Sequence, residues 1–308
     1  MLGIRNGSVA VLAAGSFLVL GLIVLTAVVG RLENTPVSGR SFVPKAPLHR
    51  VVVTGYTADL MEPFISRDGR YLLFNNLNEA PVNTDIFYAE RQDDFTWVFR
   101  GPVRGVNTPA LEGCATMDRA GCLFFVSPRD YPHTFCTIYT GQFKEGDVTN
   151  VHVVDSISRQ QPGMVNFDVD VSPDGALLVF VDSRFEPGAG PQFATLVMAG
   201  WDGRQFTRLP ESARILARVN WVGLNYAPTI SANKLTLYFT RYDRHSRFHG
   251  PQIYRARRLS LAAPFAEPEH VEGLGEYVEG SALGPDERLL YFHRKDGARF
   301  DLYAVRVK

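Results

Sequence analysis

A short pattern repeated five times along the chain constrains its fold more than any other feature. In the first copy, a strand that starts at Glu62 leads into a polar turn at residues 66–69 and an apolar strand that ends at Phe74. The turn has a mechanism, because Asp68 can bond its own backbone and Gly69 tolerates a positive φ. We therefore interpret each copy as a β-hairpin. The five hairpins end at Phe74, Phe125, Phe180, Phe239 and Phe292.

Two more strands follow each hairpin, as residues 85–90 and 95–100 follow the first. Units of four strands that recur every 51 to 59 residues are typical of a β-propeller. We therefore predict an all-β fold, a five-bladed β-propeller formed by residues 49–308. A six-bladed ring would need another blade between Arg184 and Tyr226, an interval that two strands and a long connection already use.

The fifth unit ends after its third strand, at residues 300–306. A spare strand at residues 50–54 precedes the first hairpin and has the phase of a fourth strand. We expect this strand to join the fifth sheet, because that pairing would close the ring and remove an exposed edge.

The N-terminal part of the chain is a separate object. Residues 9–30 carry no charge and are almost wholly apolar, and about 20 such residues span a bilayer. The segment follows a short head, residues 1–8, and it is longer than the apolar core of a secretory signal. We predict a transmembrane helix that acts as an uncleaved anchor, with a removed signal as the alternative. Residues 31–48 contain three prolines and are predicted to be an extended tether.

The charges around this segment give conflicting indications of topology. Arg31, Arg40 and Lys45 follow the span while Arg5 precedes it, and the positive-inside rule alone would leave the main domain in the cytoplasm. Long domains translocate despite such charges, however, and a span at the extreme N-terminus suits an export signal. We therefore expect the propeller on the extracytoplasmic side, periplasmic or extracellular.

Composition excludes one class of partner and bears on the cysteines. The 32 basic and 32 acidic residues balance, and no basic run supports binding to nucleic acid. The three cysteines are an odd number, so at least one is unpaired. We expect buried core thiols, with one disulfide as the alternative. They are Cys114, Cys122 and Cys136.

The third hairpin carries the most specific pattern. Ser172-Pro-Asp-Gly175 precedes an apolar strand that ends at Phe180 and continues to Arg184, and third strands read Asp-Ile/Leu-x-Tyr. These features resemble the WD40-like repeat of the Tol-type (TolB-like) β-propeller family, over about residues 50–308. Members are often exported, and the best-known ones bind other envelope proteins. The resemblance therefore implies an envelope binding protein. The five predicted blades and the lack of an evident α/β domain depart from that family, so we infer no role in the Tol machinery.

Carboxylates at the start of the first strands are the first set of candidate site residues. The first strand of a propeller blade lines the central channel, where ligands are often bound. Carboxylates around one axis could bind a basic group or a cation such as calcium, and mutual repulsion would raise pKa values and permit acid–base chemistry. Alternatively, each belongs to the repeat and bonds backbone N–H groups. Ala227 holds the remaining position, and the four candidates are Glu62, Glu112, Asp168 and Glu279.

A second candidate set follows the second strands. Arginines at these positions either pair with acids of an adjacent blade or form a polar ring for an anionic or sugar ligand. A loop at residues 241–250 also holds His245 and His249, but it lacks the helical context and the acid of a zinc protease motif. The candidates for ligand contact in this set are Asn75, Asn76, Arg184, Arg241 and Arg294.

No sequence motif identifies an enzyme. The chain has no nucleophile elbow, no phosphate-binding glycine loop and no paired C-x-x-C, so we assign no catalytic residue, resident metal or cofactor. We expect a membrane-anchored binding module for a protein, peptide or glycan of the cell envelope. The alternatives are a glycan-acting hydrolase that uses the channel carboxylates and a scaffold that only holds an assembly together.

Overall fold

The computed structural model describes residues 40–308 except 45, 79–82 and 187–189. Its strands form five sheets around a central channel, so the predicted all-β, five-bladed propeller is confirmed. Within the described residues no helix is long and apolar enough to cross a bilayer. The anchor predicted at residues 9–30 lies outside the described part of the chain.

Each blade contributes four consecutive strands, numbered here from the channel outward. Blade 1 has β4 (Met61–Ile65), β5 (Tyr71–Asn75), β6 (Ile86–Arg91) and β7 (Thr96–Pro102). Blade 2 has β8 (Gly113–Met117), β9 (Cys122–Val126), β10 (Ile138–Lys144) and β11 (Asp147–Val153). Blade 3 has β12 (Met164–Val171), β13 (Leu177–Phe185), β14 (Pro191–Trp201) and β15 (Phe206–Arg208).

The last two blades follow the same order. Blade 4 has β16 (Leu224–Ile230), β17 (Thr236–Tyr242), β18 (Gln252–Arg257) and β19 (Glu269–Val271). Blade 5 supplies three strands, β20 (Val278–Leu283), β21 (Leu289–Asp296) and β22 (Arg299–Arg306). Two single-turn helices, α1 (Tyr131–Thr134) and α2 (Ser212–Ile215), and a 3₁₀ turn at Asp155–Ile157 lie in connections.

The segment before blade 1 closes the ring in a way that differs from the prediction. Its strands are β1 (Ser41–Phe42), β2 (His49–Arg50) and β3 (Val52–Thr54). β2 pairs antiparallel with β22 and completes blade 5, whereas β3 pairs in parallel with β7 of blade 1 and β1 pairs in parallel with β19 of blade 4. The prediction that one strand at residues 50–54 closes blade 5 was therefore wrong in detail. The buried Val51 turns the chain from one blade to the next.

The core is distributed between the blades. Second and third strands are apolar on both faces because each sheet packs against two neighbours, and β5 has five consecutive buried residues. Trp97 and Leu302 belong to one cluster between blades 5 and 1, and the other clusters fill the remaining interfaces. Cys114, Cys122 and Cys136 are free thiols. This packing fixes the inner strands, and therefore the channel lining, from behind.

Candidate functional site

The innermost strand of every blade bends at one residue of positive φ. An irregular register at each of these residues marks a β-bulge, which re-aims a side chain. Left-handed backbone is costly for residues other than glycine, on the order of 1–3 kcal/mol each, so four such residues in one ring suggest a constrained site. All five line one cavity on the axis. They are Glu62 (φ 48°), Cys114 (55°), Asp168 (52°), Ala227 (45°) and Gly280 (59°).

The ring corrects two of the predicted equivalences. Cys114 takes the position in blade 2 that we assigned to Glu112, and Gly280 takes the position in blade 5 that we assigned to Glu279. The reason in blade 2 is a hairpin turn one residue shorter than in the other blades. A spacing counted back from each closing phenylalanine would have placed Gly280 correctly, because the other hairpins keep that spacing.

Two carboxylates and a thiol meet at the narrowest part of the channel. The Cys114 thiol donates to Asp168 Oδ1 at 2.8 Å, and Asp168 Oδ2 accepts the Ala227 N–H at 2.9 Å. No hydrogen bond to the carboxylate of Glu62 is found within the described residues. A Cβ atom on Gly280 would lie 2.5 Å from Glu62 Oε2, so the glycine makes room for this carboxylate.

A histidine connects Glu62 with the third channel acid. The backbone N–H of Glu62 donates to Nδ1 of His293 at 3.2 Å, so the ring proton is on Nε2. That atom lies 3.3 Å from a carboxylate oxygen of Glu279, which also accepts from the Tyr226 hydroxyl. His293 is fully buried. Glu279 is thus held beside the bulge ring, although its own backbone is not part of it.

Burial and mutual repulsion make these acids hold protons. Burial, followed by the charges of Asp168 and Glu279, raises the pKa of Glu62 well above its usual value. Burial raises the pKa of Asp168 to about 6, against the opposing effect of its bonds from Cys114 and Ala227. Burial also raises the pKa of the Cys114 thiol well above the usual range. The site is therefore short of positive charge.

The space around this ring is small. The cavity toward the start of the inner strands has a volume of about 50 Å³, and its lining includes Asn78, Tyr226 and Glu279. The cavity on the other side has about 30 Å³. Since one water needs about 10–15 Å³ of such volume, each holds a few waters or a small ion. We call the larger one, with the ring residues below it, the upper channel.

A salt bridge blocks the channel on the other side of the ring. Arg67, from the blade 1 turn, contacts Asp170 of blade 3 at 3.2 Å and the carbonyl of Val171 at 2.7 Å. Asp170 also accepts the Thr116 hydroxyl at 2.6 Å and the Ile230 N–H at 2.7 Å. The contacts join blades 1, 2, 3 and 4, so this part of the channel is a structural plug.

The channel residues also form the one potential metal-ligand group of three found within the described residues. One ligating atom each from Glu62, Cys114 and Asp168 lie within 4.8 Å of one another. Zinc would accept this thiol and carboxylate set, but only after the thiol loses its proton. The hydrogen bond from that thiol to Asp168 and its raised pKa work against this. Calcium would need six or more oxygens.

Glu112 has a structural environment. It is fully buried, and its carboxylate accepts from the backbone and hydroxyl of Thr108 at 2.7 and 2.8 Å and from Ser127 at 2.7 Å. Arg129 adds a contact at 3.1 Å. This network fastens the connection between blades 1 and 2, and no atom of Glu112 lines the channel cavities.

The second candidate set does not converge on one ring. Asn75 donates to Asn78 at 2.8 Å and accepts the Cys114 N–H at 3.2 Å, while Asn76 accepts the Asp85 N–H at 2.7 Å. Both amides therefore brace the loop beside the upper channel.

The arginines of this set lie apart from one another. Buried Arg241 donates to Asn225 at 2.9 Å, and Arg294 donates to Asp296 at 2.8 Å, so each bonds within its own blade. Arg184 is exposed and has no partner within the described residues. In the 241–250 loop, His245 contacts Arg244 at 3.2 Å.

Several site residues were not predicted from the sequence. Cys114 was treated only as a core thiol, and its place in the ring depends on a turn shortened by one residue. Tyr226 and His293 stand beside two candidates in the sequence or pairing, but nothing in a single sequence marks a buried tyrosine or histidine as a channel residue. Arg67 lies in the polar turn of the repeat, where an arginine usually faces solvent.

Comparison with known proteins identifies the fold and no family. No protein-family model matches the chain, and no curated protein does. A family 117 glycoside hydrolase from the marine bacterium Zobellia galactanivorans is similar with a TM-score of 0.58 and 10% identity, over 85% of this chain and 91% of that one. The catalytic domain of a GH62 α-L-arabinofuranosidase from Coprinopsis cinerea gives 0.54 and 10%, over 85% and 96%. TolB from Acinetobacter baumannii gives 0.45 and 12%, over 80% of this chain but 54% of that one, so this chain spans about half its length.

Proposed function

We propose that this protein is a binding module of the cell envelope rather than an enzyme. The predicted anchor at residues 9–30 would hold the propeller on the extracytoplasmic side. The upper channel would receive a positively charged group, such as a lysine ammonium, from a protein or peptide partner. A purely structural scaffold would have no use for this uncompensated charge.

The observation that carries this proposal is the lack of counter-charge in the upper channel. Glu62, Asp168 and Glu279 line the cavity together, and no lysine or arginine is among its described lining residues. Carboxylates held away from water are costly unless they are protonated or paired. An ammonium group would supply both the charge and the hydrogen-bond donors that Glu62 lacks.

The size of the cavity favours the same ligand group. A volume of about 50 Å³ accommodates an ammonium group and the methylene next to it. A sugar ring is several times larger than a water molecule and does not fit. The upper channel therefore suits the tip of a side chain or a chain terminus, presented by a partner that rests on the channel mouth.

The geometry disfavours the alternative hydrolase function. Oxygens of Glu62 and Asp168 lie within 4.8 Å of each other, whereas the carboxyl groups of glycosidases are about 5–5.5 Å or 6.5–9.5 Å apart. Asp168 is also occupied by Cys114 and Ala227. The raised pKa of Asp168 would suit an acid catalyst, but the space for a substrate between the two acids is missing.

The test uses capped pentapeptides with a central lysine or a central norleucine, titrated into the full-length protein. We expect the lysine peptide to bind and the norleucine peptide to fail, with affinity that falls as salt is added. Glu62→Gln and Glu279→Gln should weaken binding by about tenfold, or about 1.4 kcal/mol. Glu211→Gln, which removes an exposed charge, is the matched control.

Two further measurements decide between functions. Equal binding of both peptides, or no effect of Glu62→Gln, would reject the upper channel as the contact. Turnover of neutral p-nitrophenyl glycosides that disappears in both Glu62→Gln and Asp168→Asn would instead establish the hydrolase. Protease accessibility in intact cells tests the extracytoplasmic location.

A further inference from the structure

A much larger depression lies between blades 2 and 3, away from the channel. Its volume is about 540 Å³, within the 300–1,000 Å³ typical of sites for small ligands and roughly ten times that of the upper channel. One wall comes from β10 and β11 of blade 2, and the other comes from the turn that joins β14 to β15 in blade 3. We call it the interblade groove.

The groove has an aromatic platform that is held in place. Trp201 is 49% exposed, and its ring packs edge-on against Phe206 with centroids 5.1 Å apart. Phe206 in turn packs against Phe124 of blade 2 at 5.7 Å. The turn beside Trp201 is fastened by Asp202, which accepts the N–H groups of Arg204 and Gln205 at 2.8 and 2.9 Å. The tryptophan is therefore presented to solvent from a rigid hairpin.

Polar side chains with unused hydrogen-bonding capacity surround this platform. The side chains of Asn150, Arg204 and Gln205 line the groove, are exposed and bond to no described residue. His152 uses Nδ1 to contact the carbonyl of Asn150 at 2.7 Å, which leaves Nε2 free of contacts with the described residues. The groove thus combines an apolar floor with a rim of neutral donors and acceptors.

The charges of the groove indicate what kind of ligand it accepts. Asp174 is paired with Lys234 at 2.5 Å, and Asp118 accepts N–H groups of its own turn. The unpaired charges that remain are those of Arg204 and Asp155, which have opposite signs. No excess of one sign is left to select a nucleic acid or a strongly charged peptide.

We propose that the interblade groove binds a neutral oligosaccharide, with one sugar ring stacked on Trp201. The C–H face of a pyranose packs against an indole ring, while its hydroxyls need both donors and acceptors around the edge. Gln205 and Asn150 supply both, and Arg204 supplies donors. This site is independent of the upper channel and goes beyond the function proposed above.

The test titrates full-length protein with four neutral tetrasaccharides, cellotetraose, xylotetraose, mannotetraose and chitotetraose. Calorimetry and tryptophan fluorescence measure binding. We expect at least one to bind with a Kd below about 1 mM and to change the emission of Trp201. Trp201→Ala should weaken that binding by about tenfold or more, and Gln205→Ala by about threefold.

Trp221→Ala is the matched control, because Trp221 is 81% exposed and lies outside the groove. It should bind the same sugar as the wild type does. Failure of all four sugars to bind, or binding that survives Trp201→Ala, would overturn the proposal. If the lysine peptide binds while no sugar does, the channel function stands and the groove proposal alone fails.

Discussion

The thiol of Cys114 donates a 2.8 Å hydrogen bond to the carboxylate of Asp168, and this contact joins the inner strands of blades 2 and 3 across the channel. Both residues have left-handed backbone, at φ 55° and 52°. The bulges that bring them together therefore cost backbone energy. The thiol bond and the Ala227 N–H bond offset part of the cost of burying Asp168 without a cation.

Removal of the thiol should destabilise the ring. Cys114→Ala leaves one oxygen of buried Asp168 without a donor, which typically costs about 1–3 kcal/mol. Because this bond lowers the pKa of Asp168, its loss should raise that pKa further. Urea denaturation at pH 5 and pH 7 would measure both effects.

Cys114→Ser is the matched control, since the hydroxyl keeps a donor near the same place. It should retain most of the stability that Cys114→Ala loses. Equal losses in the two variants would mean that the hydrogen bond contributes little and that packing of the sulfur matters instead.

The raised pKa values predict that the channel loses stability as pH rises. Between the ordinary value of 3.8 and the folded value of about 6, Asp168 keeps a proton in the folded state that the unfolded chain has lost. The free energy of unfolding should therefore fall across this window, on the order of 3 kcal/mol for a shift of about two units. Above pH 6 the contribution of Asp168 should level off.

Glu62→Gln isolates the part of this effect that comes from Glu62. The pKa of Glu62 is raised well above its ordinary 4.5, so its contribution also falls as pH rises above that value. The variant should be more stable than the wild type at pH 8, and the difference should shrink toward pH 5. Glu211→Gln should show no such trend. A difference that is constant with pH would contradict the electrostatic account.

The repeat allowed the blades to be predicted because each copy states the same physics. An apolar second strand, a polar turn and a period of 51 to 59 residues are local features, and the buried strands of the structure follow them. The channel was harder to predict, because its lining depends on register. In blade 2 a turn shortened by one residue places Cys114, and not Glu112, on the axis.

Long-range contacts explain the other differences. Arg67 reaches Asp170, 103 positions away, and Arg241 bonds the carbonyl of Val219 where an acid of a neighbouring blade was one expectation. Such partners are set by how blades pack, which no spacing in the chain records. The groove near Trp201 was missed for the same reason, since its two walls come from different blades.

The Arg67–Asp170 salt bridge should be a strong stabiliser when it is broken from one side. Both side chains are at most 9% exposed, and removing one partner of a buried pair typically costs about 3–5 kcal/mol. We expect Arg67→Met to show a loss of this size in urea denaturation. In Arg67→Met combined with Asp170→Asn the loss should be smaller than the sum of the single losses, since no charge is left buried alone. Strictly additive losses would show that the two residues are not coupled.

The segment before blade 1 should determine whether the ring is stable. It adds β1 to blade 4, β2 to blade 5 and β3 to blade 1, and Phe42 lies under the guanidinium of Arg255 at 3.4 Å. A chain that starts at Tyr56 loses all three strands. It also exposes the backbone edges of three blades and opens the cluster that holds Val51 and Val53.

We expect that chain to melt at a lower temperature and to aggregate, because unpaired edges and apolar surface become accessible. A chain that starts at Arg40 keeps the three strands and is the control. An intermediate chain that starts at Ala46 lacks only β1, so blade 4 alone should be weakened and the loss should be smaller. Circular dichroism melts of the three chains give the order. If the chain from Tyr56 melted with the other two, β2 and β3 could not be what holds blade 5 to blade 1.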